Sequence, residues 1–315
     1  MPRDGEPGTT QVLFIGGVPR SGSTLLDLLL GQVPGYCDVG ELYYLWSSGV
    51  VRDELCSCGV PFHECEFWQR VGKHAFGGWD QVDLRRVLAL QRDVDTTGRL
   101  LRGSALRSRQ YERDVAEYLS YLEPLYDAVA TVDGARVVVD STKRPSTAFL
   151  LARSARLDLR VVHLLRDPRG VVNSWRRKVA IPERTGPRSH LKQRSMRQIL
   201  RRWITVNTMI DRLGARVPSQ RLRYEDLVAD PDHWLRVATS VTGVAAGDAE
   251  LAFLRHGSVG RVPSHAATGG RVRMMTDPFK LELDERWRED LPRWRQLAIR
   301  GVAAAWMTRL GYPLD

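Results

Sequence analysis

No apolar run in the 315 residues approaches the roughly 18–20 needed to cross a bilayer, so no membrane span is expected. Cysteine is scarce, and four residues in a chain of this length do not make a disulfide scaffold. No repeats or low-complexity tracts stand out. The opening MPRDGEPGTT has no apolar segment, so no signal peptide is expected and a cytoplasmic protein is the default reading. Acidic residues are in deficit, 37 against 47 basic ones, for a net charge of +10. Such a surplus fits nucleic acid, an anionic membrane surface or a small polyanion. No basic tail, aromatic-rich RNA-binding segment or zinc-finger spacing supports nucleic acid. Arginine dominates the surplus, and its planar fork suits phosphate and sulfate. A GC-rich genome favouring arginine codons gives the same excess.

What is plentiful is core-forming sequence, with 43% hydrophobic residues. Disorder is expected only at residues 1–10. Residues 11–17 read as a buried strand and 23–32 as a helix ended by Val33-Pro34-Gly35. Residues 136–140 (RVVVD), 160–165 (RVVHLL) and 221–224 (RLRY) read as further short strands. Asp167-Pro168 opens a helix as N-cap and first helical residue, and another helix starts at Glu225. Short apolar strands alternating with helices imply a parallel sheet, with its ligand at the C-terminal strand ends. We therefore expect one α/β domain over 1–315, a P-loop-like three-layer fold with a central parallel sheet flanked by helices. Residues 50–135 and 180–213 read as insertions that shape an acceptor pocket, the first helical over 81–102 and 108–130. Residues 285–311 read as helical, with Trp287, Trp294 and Trp306 as core packing.

The stretch VLFIGGVPRSGSTLLDLLLG, residues 12–31, has the layout of a phosphate loop between a strand and a helix. Gly17 and Gly22 stand at Walker spacing and Thr24 holds the final hydroxyl, but Ser23 occupies the lysine position. Backbone amides of residues 17–24, the helix N-terminus, the hydroxyls of Ser21, Ser23 and Thr24, and the charge of Arg20 can wrap an oxyanion. Without the lysine, this cradle fits a 5′-phosphate carrying a transferable group better than it fits ATP hydrolysis or kinase chemistry.

GGVPRSGSTLL resembles the 5′-phosphosulfate loop of sulfotransferases, with Arg20 where the cytosolic branch tends to carry lysine. The donor of that family is 3′-phosphoadenosine 5′-phosphosulfate (PAPS). LLRDPRGVVNSW supplies the second family signature, Arg166 at a strand end and Ser174 eight residues on. In the family these two residues grip the 3′-phosphate. From Pro168 to Ser174 the helix rises about 9 Å, so both side chains can reach one group. DVGELYYLW resembles the Gly-Glu segment of tyrosylprotein and bacterial sulfotransferases. VVVDSTKRP, RLRYEDLVADP and SHAATGGRVRM resemble further elements, the last a late nucleotide-covering loop in which Gly270 and Arg271 replace Asn and Pro ahead of Arg273.

The resemblance implies a PAPS-dependent transfer of a sulfuryl group to a hydroxyl of a small molecule, glycan or lipid. Expected donor-binding residues are Arg20, Ser21, Gly22, Ser23, Thr24, Arg166, Ser174 and Arg273. Glu41 matches the catalytic glutamate of the Gly-Glu branch and is the candidate base; a cap or an ion pair is the plainer role. Arg20 and Lys143 are candidates to neutralise charge on the transferring group; Lys143 as a solvated rim residue is the plainer role. Asp140 reads as structural, and Glu225 and Asp226 as helix starters. No metal is expected in catalysis. The cluster CSCGVPFHEC (Cys56, Cys58, His63, Cys65) could hold zinc, form a disulfide or simply pack. His163 reads as a satisfied core histidine. Neither His190, His256 nor His265 is expected to be the base, although His265 lies near the late loop. A P-loop kinase-like phosphotransferase is the rival enzyme.

Overall fold

The computed structural model describes residues 8–102, 108–177, 194–254, 259, 264–268, 278 and 280–314. Strands β1 (Thr10–Gly17), β2 (Tyr36–Asp38), β3 (Val137–Lys143), β4 (Leu157–Leu165) and β5 (Ser219–Arg223) form one sheet in the order β2-β3-β1-β4-β5. Every pairing is parallel. The helices are α1 (Ser23–Leu30), α2 (Glu66–Phe76), α3 (Leu84–Val94), α4 (Thr97–Arg102), α5 (Arg109–Asp133), α6 (Pro145–Leu151), α7 (Pro168–Arg176), α8 (Met196–Gly214), α9 (Tyr224–Ala229), α10 (Pro231–Ser240), α11 (Trp287–Asp290) and α12 (Arg293–Arg309). Among the described residues, no helix is long and apolar enough to cross a membrane.

The three layers follow from the alternation of side chains along strands that are buried on both faces. On β1, Val12 and Phe14 enter one apolar cluster, together with Leu125 and Val129 of α5 and Trp203 and Ile210 of α8. Leu13 and Ile15 point the other way, into a second cluster with Leu26, Leu29 and Leu30 of α1 and Leu235 and Ala238 of α10. On β4, Val161 joins the first cluster and Val162 the second. Truncating a fully buried residue of this kind, such as Phe14, costs about 3–5 kcal/mol. The aromatic residues Phe62 and Trp68 belong to the first cluster too, so the 50–135 insertion grows out of the main core.

Several boundaries differ from expectation. β3 runs on through Asp140 to Lys143, so Asp140 sits inside a strand rather than at its end. β2 is three residues, Tyr36-Cys37-Asp38, too short for any periodic signal, yet it forms the sheet edge. α1 stops at Leu30, where Gly31 caps it through Asp27 and Leu29 carbonyls. The expected 81–102 helix is two helices, because Asp95 leaves the helical path and accepts a 2.6 Å hydrogen bond from Thr147. The 285–311 stretch breaks at Leu291-Pro292 into α11 and α12. Trp287 is buried, with the Arg169 guanidinium 4.1 Å from its ring, but Trp294 is exposed, contrary to the expected core role. Asp167 caps α7 as read, accepting from the Arg169 amide at 2.7 Å ahead of Pro168.

His163, in the middle of β4, is only half satisfied. Its Nε2 meets Asn207 Oδ1 at 3.2 Å, and its Nδ1 has no partner among the described residues. Burial, partly offset by the Asn207 bond, pulls its pKa from the ordinary 6.5 down to about 4. Between those two values the unfolded chain binds a proton that the folded chain refuses. The His163 contribution to stability is therefore complete above that window and is lost as pH drops through it, by about 3 kcal/mol, while Asp38, whose pKa burial raises to about 7, works in the opposite direction. The stability difference between wild type and His163→Gln, read by urea unfolding, should therefore shift against the wild type as pH falls across the window. A difference that does not change with pH would place the titrating group elsewhere.

Candidate active site

The C-terminal ends of the strands carry the sequence-predicted residues to one rim. After β1, the chain turns through Arg20 (φ 79) and Gly22 (φ 89) into α1. Left-handed residues alternating with ordinary ones turn successive backbone N–H groups into a concavity. Only glycine suits the second position, because a Cβ there would lie 2.5 Å from the Tyr224 ring. No side chain caps α1, so its first amides keep their free hydrogens and their positive end. Ser21 is 1% exposed, and its Oγ has no partner among the described residues. Ser23 is buried, and Thr24 is half-buried.

Beside this loop lies a cluster of arginines. Arg20 Nε donates to Ser174 Oγ on α7 at 2.9 Å. Arg166, just past β4, donates from Nη1 to the Arg20 carbonyl at 2.9 Å, and its guanidinium lies 4.5 Å from the centre of the Tyr224 ring. Trp203 fixes the Arg166 carbonyl with a 2.9 Å hydrogen bond. Arg20, Arg166 and Ser174 are thus brought together across 154 residues of sequence. Burial first, then the charges of Arg177 and Arg166, hold the Arg20 guanidinium below its ordinary pKa. Asp284 balances part of this charge, 3.3 Å from Arg166, 2.8 Å from Arg177 and 2.8 Å from Arg286. Burial alone would raise the Asp284 carboxyl, but hydrogen bonds from Arg286 and Arg177 and the charge of Arg166 outweigh it and hold the pKa well below the usual carboxylate range.

On the other side of the loop, Glu41 and Lys143 meet. Lys143 Nζ is 2.9 Å from Glu41 Oε1 and donates to the Ser141 carbonyl at 2.8 Å. Lys143 is 7% exposed, so it is not a solvated rim residue. It also has φ 66; among the described residues Arg20, Asp53 and Lys143 are the non-glycine residues in the left-handed region, and two of the three stand here. Asp140 lies beneath them. Its Oδ1 accepts from the Thr142 amide at 2.8 Å and the Leu42 amide at 3.4 Å, and its Oδ2 from the Tyr126 hydroxyl at 2.6 Å. The carboxylate thus ties the Glu41 turn to β3, and Thr142 Oγ1 adds a bond from the Tyr43 amide. From the far side, the Glu41 amide donates to the Thr268 carbonyl at 3.1 Å, and Thr268 Oγ1 returns a 2.6 Å bond to the Glu41 carbonyl. Gly40 makes this approach possible: its φ is 73, and a Cβ would lie 2.1 Å from the Thr268 carbonyl oxygen.

Glu225 does more than start a helix. It accepts from the Asp167 amide at 2.9 Å and from the Tyr312 hydroxyl at 3.1 Å, bracing the turn that carries Arg166. Asp226 pairs with Arg223 at the start of α9. Arg273 lies outside the described residues, as do His190, His256, Gly270 and Arg271. Sequence reasoning missed Asp284, which touches the site from a distant loop without any local signal, and gave no role to Thr268, which lies within SHAATGGRVRM. It quoted Tyr224 within RLRYEDLVADP without giving it a role. His63 turns away from the cysteines to the Val50 carbonyl, 2.9 Å from its Nε2. His265 takes its place, 3.3 Å from Cys65 Sγ.

The residues present fit a ligand with two anionic ends. The buried Ser21 hydroxyl, the uncapped helix and the mutually repelling arginines all favour negative charge. A family model described as the sulfotransferase family matches residues 12–246. No curated protein matches the sequence significantly. Among solved structures, the fold resembles that of the sulfotransferase domain from the curacin biosynthetic pathway, with a TM-score of 0.53, 15% identity, and coverage of 98% of this chain and 99% of that one. The sulfotransferase domain from the Synechococcus PCC 7002 olefin synthase (TM-score 0.49, 22% identity, 99% and 98% covered) and a sulfotransferase from Mycobacterium avium (TM-score 0.49, 14% identity, 98% and 79% covered) are also similar. With the family model spanning well over half of its length, the chain belongs to the sulfotransferase family and is a transferase that draws on a sulfuryl donor such as PAPS.

Proposed function

We propose that this enzyme moves the sulfuryl group of PAPS to a hydroxyl of a small molecule, glycan or lipid by in-line displacement, with Glu41 as the base. The observation that carries the reading is the shared rim: the Glu41–Lys143 pair stands on one side of the uncapped α1 loop and the Arg20–Ser174–Arg166 cluster on the other. PAPS supplies an activated sulfuryl group on a 5′-phosphate and a 3′-phosphate that ATP lacks. The loop amides with Ser21, Gly22, Ser23 and Thr24 would hold the 5′ end, and Arg166 with Ser174 the 3′-phosphate. Arg20 lies between the two and would neutralise charge on the leaving phosphate together with Lys143. Glu41 would take the acceptor proton as the new oxygen–sulfur bond forms and the sulfur–oxygen bond to phosphate breaks.

Other parts of the reading rest on composition and placement. The arginines and Lys143 supply enough fixed cation to support a transfer step without a metal. Tyr43, under the Arg144 guanidinium at 3.9 Å, follows Glu41 closely enough to help line an acceptor pocket. The 50–135 insertion shares the main core, which supports one domain. The resemblance to bacterial members is the ground for reading the protein as bacterial. The kinase alternative is not favoured, because Ser23 stands where its lysine would be.

Calorimetric titration with 3′,5′-adenosine bisphosphate, 5′-AMP and ATP–magnesium tests the donor assignment. The bisphosphate should bind most tightly. Arg166→Ala should weaken it by about 10–100-fold while leaving 5′-AMP nearly unchanged, since a charge-assisted contact is worth about 1.5–3 kcal/mol. Indifference to the 3′-phosphate would sink the reading.

Asp284 competes with any phosphate for Arg166. Asp284→Asn should therefore tighten bisphosphate binding, by up to about tenfold. Weaker binding in that variant would make Asp284 a support for the site rather than a competitor.

Glu41→Gln should lower kcat by about 10²–10⁴ while bisphosphate affinity holds. The measurement is sulfuryl transfer from PAPS to a screened panel of hydroxyl acceptors. Full activity in that variant would remove Glu41 as the base.

A further inference from the structure

Apart from the rim, one cluster of side chains has no role in the transfer reaction. The sulfurs of Cys56, Cys58 and Cys65 and the Nδ1 of His265 all lie within 4.8 Å of one another. Cys65 Sγ is 3.7 Å from both Cys56 Sγ and Cys58 Sγ. His265 Nδ1 is 3.3 Å from Cys65 Sγ and 3.9 Å from Cys56 Sγ. A tetrahedral zinc with zinc–sulfur bonds of about 2.3 Å and a zinc–nitrogen bond of about 2.0–2.1 Å sets sulfur–sulfur edges of about 3.8 Å and sulfur–nitrogen edges of about 3.6 Å. The two sulfur–sulfur distances of 3.7 Å fall just short of that edge, and the sulfur–nitrogen distances of 3.3 and 3.9 Å lie on either side of theirs. A disulfide would need its sulfurs about 2.05 Å apart.

The backbone holds these groups in place. Cys56 to Gly59 form a tight turn: the Gly59 amide donates to the Cys56 carbonyl, and the Cys56 amide donates to the Val60 carbonyl, each at 2.9 Å. Leu55 and Pro61 then bridge antiparallel. Cys65 is the N-cap residue of α2, and its side chain makes no cap hydrogen bond. His265 comes from a segment 200 residues later. Its ring stacks on Phe67 with centroids 4.7 Å apart and planes 9° apart, and the Trp68 indole donates to its carbonyl at 2.8 Å. Ser57 fastens both neighbours of His265, its amide donating to the Ala266 carbonyl and its hydroxyl to the Ser264 carbonyl. The imidazole is thereby aimed at the sulfurs by packing and hydrogen bonds on both sides. Cys56 and Cys65 are buried, His265 is half-buried and Cys58 is exposed, which leaves an entry path for an ion.

We propose that Cys56, Cys58, Cys65 and His265 form a structural zinc site that fastens the 264–268 segment to the insertion. Three thiolates and an imidazole are a soft donor set that suits zinc. Four protein ligands close the coordination sphere, leaving no position for a substrate. The consequence reaches the active site through the chain: three residues after His265, Thr268 makes the two hydrogen bonds that flank Glu41. The zinc thus anchors the outer support of the Glu41 turn. Nothing in this inference rests on the identity of the donor or the acceptor.

The test uses the full chain, purified without chelator and assayed for metal by mass spectrometry, then exchanged with cobalt(II) for absorption spectroscopy. About one zinc per chain is expected, with a cobalt spectrum showing sulfur-to-metal charge transfer and the strong visible bands of tetrahedral geometry. Cys58→Ser and His265→Ala should each lose the metal, whereas His63→Ala should retain it. Chelation should lower the melting temperature of the wild type and leave that of Cys58→Ser unchanged. Four free thiols with no bound zinc, a disulfide among Cys56, Cys58 and Cys65 in the intact protein, or full zinc retention in both Cys58→Ser and His265→Ala would each overturn the proposal. Because the cobalt spectrum is read on the wild type, the outcome does not depend on how well any variant folds.

Discussion

One carboxylate, Asp284, lies within reach of three guanidinium groups, those of Arg166, Arg177 and Arg286. Around it the chain has gathered more positive charge than a folded protein holds without reason. Arg20 is half-buried among like charges, and its guanidinium is held below its ordinary pKa. Like charges at close range repel, and burial strengthens the repulsion. The arrangement persists because other groups take the strain. Tyr224 puts a ring face against Arg166, Trp203 holds its carbonyl, and Glu225 braces the turn that presents it. A site organised in this way favours a multiply charged anion, because binding one relieves repulsion already present in the fold.

The second constraint is that a glutamate and a lysine must face each other at the C-terminal edge of the sheet without wandering. Glu41 sits on a turn with little secondary structure of its own. Its position is set by a carboxylate below, Asp140, and a threonine beside it, Thr268. Asp140 is fully buried, and burial raises its pKa, while bonds from Thr142, Tyr126 and the backbone work against that rise. A buried carboxylate with both oxygens hydrogen-bonded is a rigid peg, since moving a partner would strand a polar atom in an apolar surround. The left-handed backbone at Lys143 and the absence of a Cβ at Gly40 are two further places where the fold accepts local cost to keep this geometry.

The insertion links the two constraints to the core. Its aromatic residues stack in series, Phe62 on Trp68 at 5.5 Å and beside Trp79 at 5.3 Å, with Trp46 next to Trp79 at 6.3 Å. Two of these indoles donate to backbone carbonyls, Trp79 to Trp68 and Trp68 to His265. This packing carries the cysteine turn and the 264–268 segment as a single body against the sheet. The support of Glu41 is therefore continuous with the hydrophobic core and does not depend on a solvated loop.

Much of this was written locally. The phosphate loop could be read from residues 12–31 because a strand, a glycine turn and a helix start are all short-range signals, and each depends on backbone sterics within a few residues. The parallel sheet followed from the alternation of apolar runs and helices, and Asp167-Pro168 announced its helix by cap chemistry alone. Arg166 and Ser174 were legible because LLRDPRGVVNSW resembles a sulfotransferase signature, with which the helical rise between them is compatible. What needed the folded chain were the pairings that span long loops. Asp284 among its arginines, Thr268 on Glu41 and His265 in place of His63 have no local signature, because each depends on which distant segments the two core faces bring together. β2 escaped notice for the same reason: three residues carry no period, and only the neighbouring β3 makes them a strand. Local chemistry determined which elements form and where an anion would be welcome; the burial of two opposed apolar faces decided which side chains meet there.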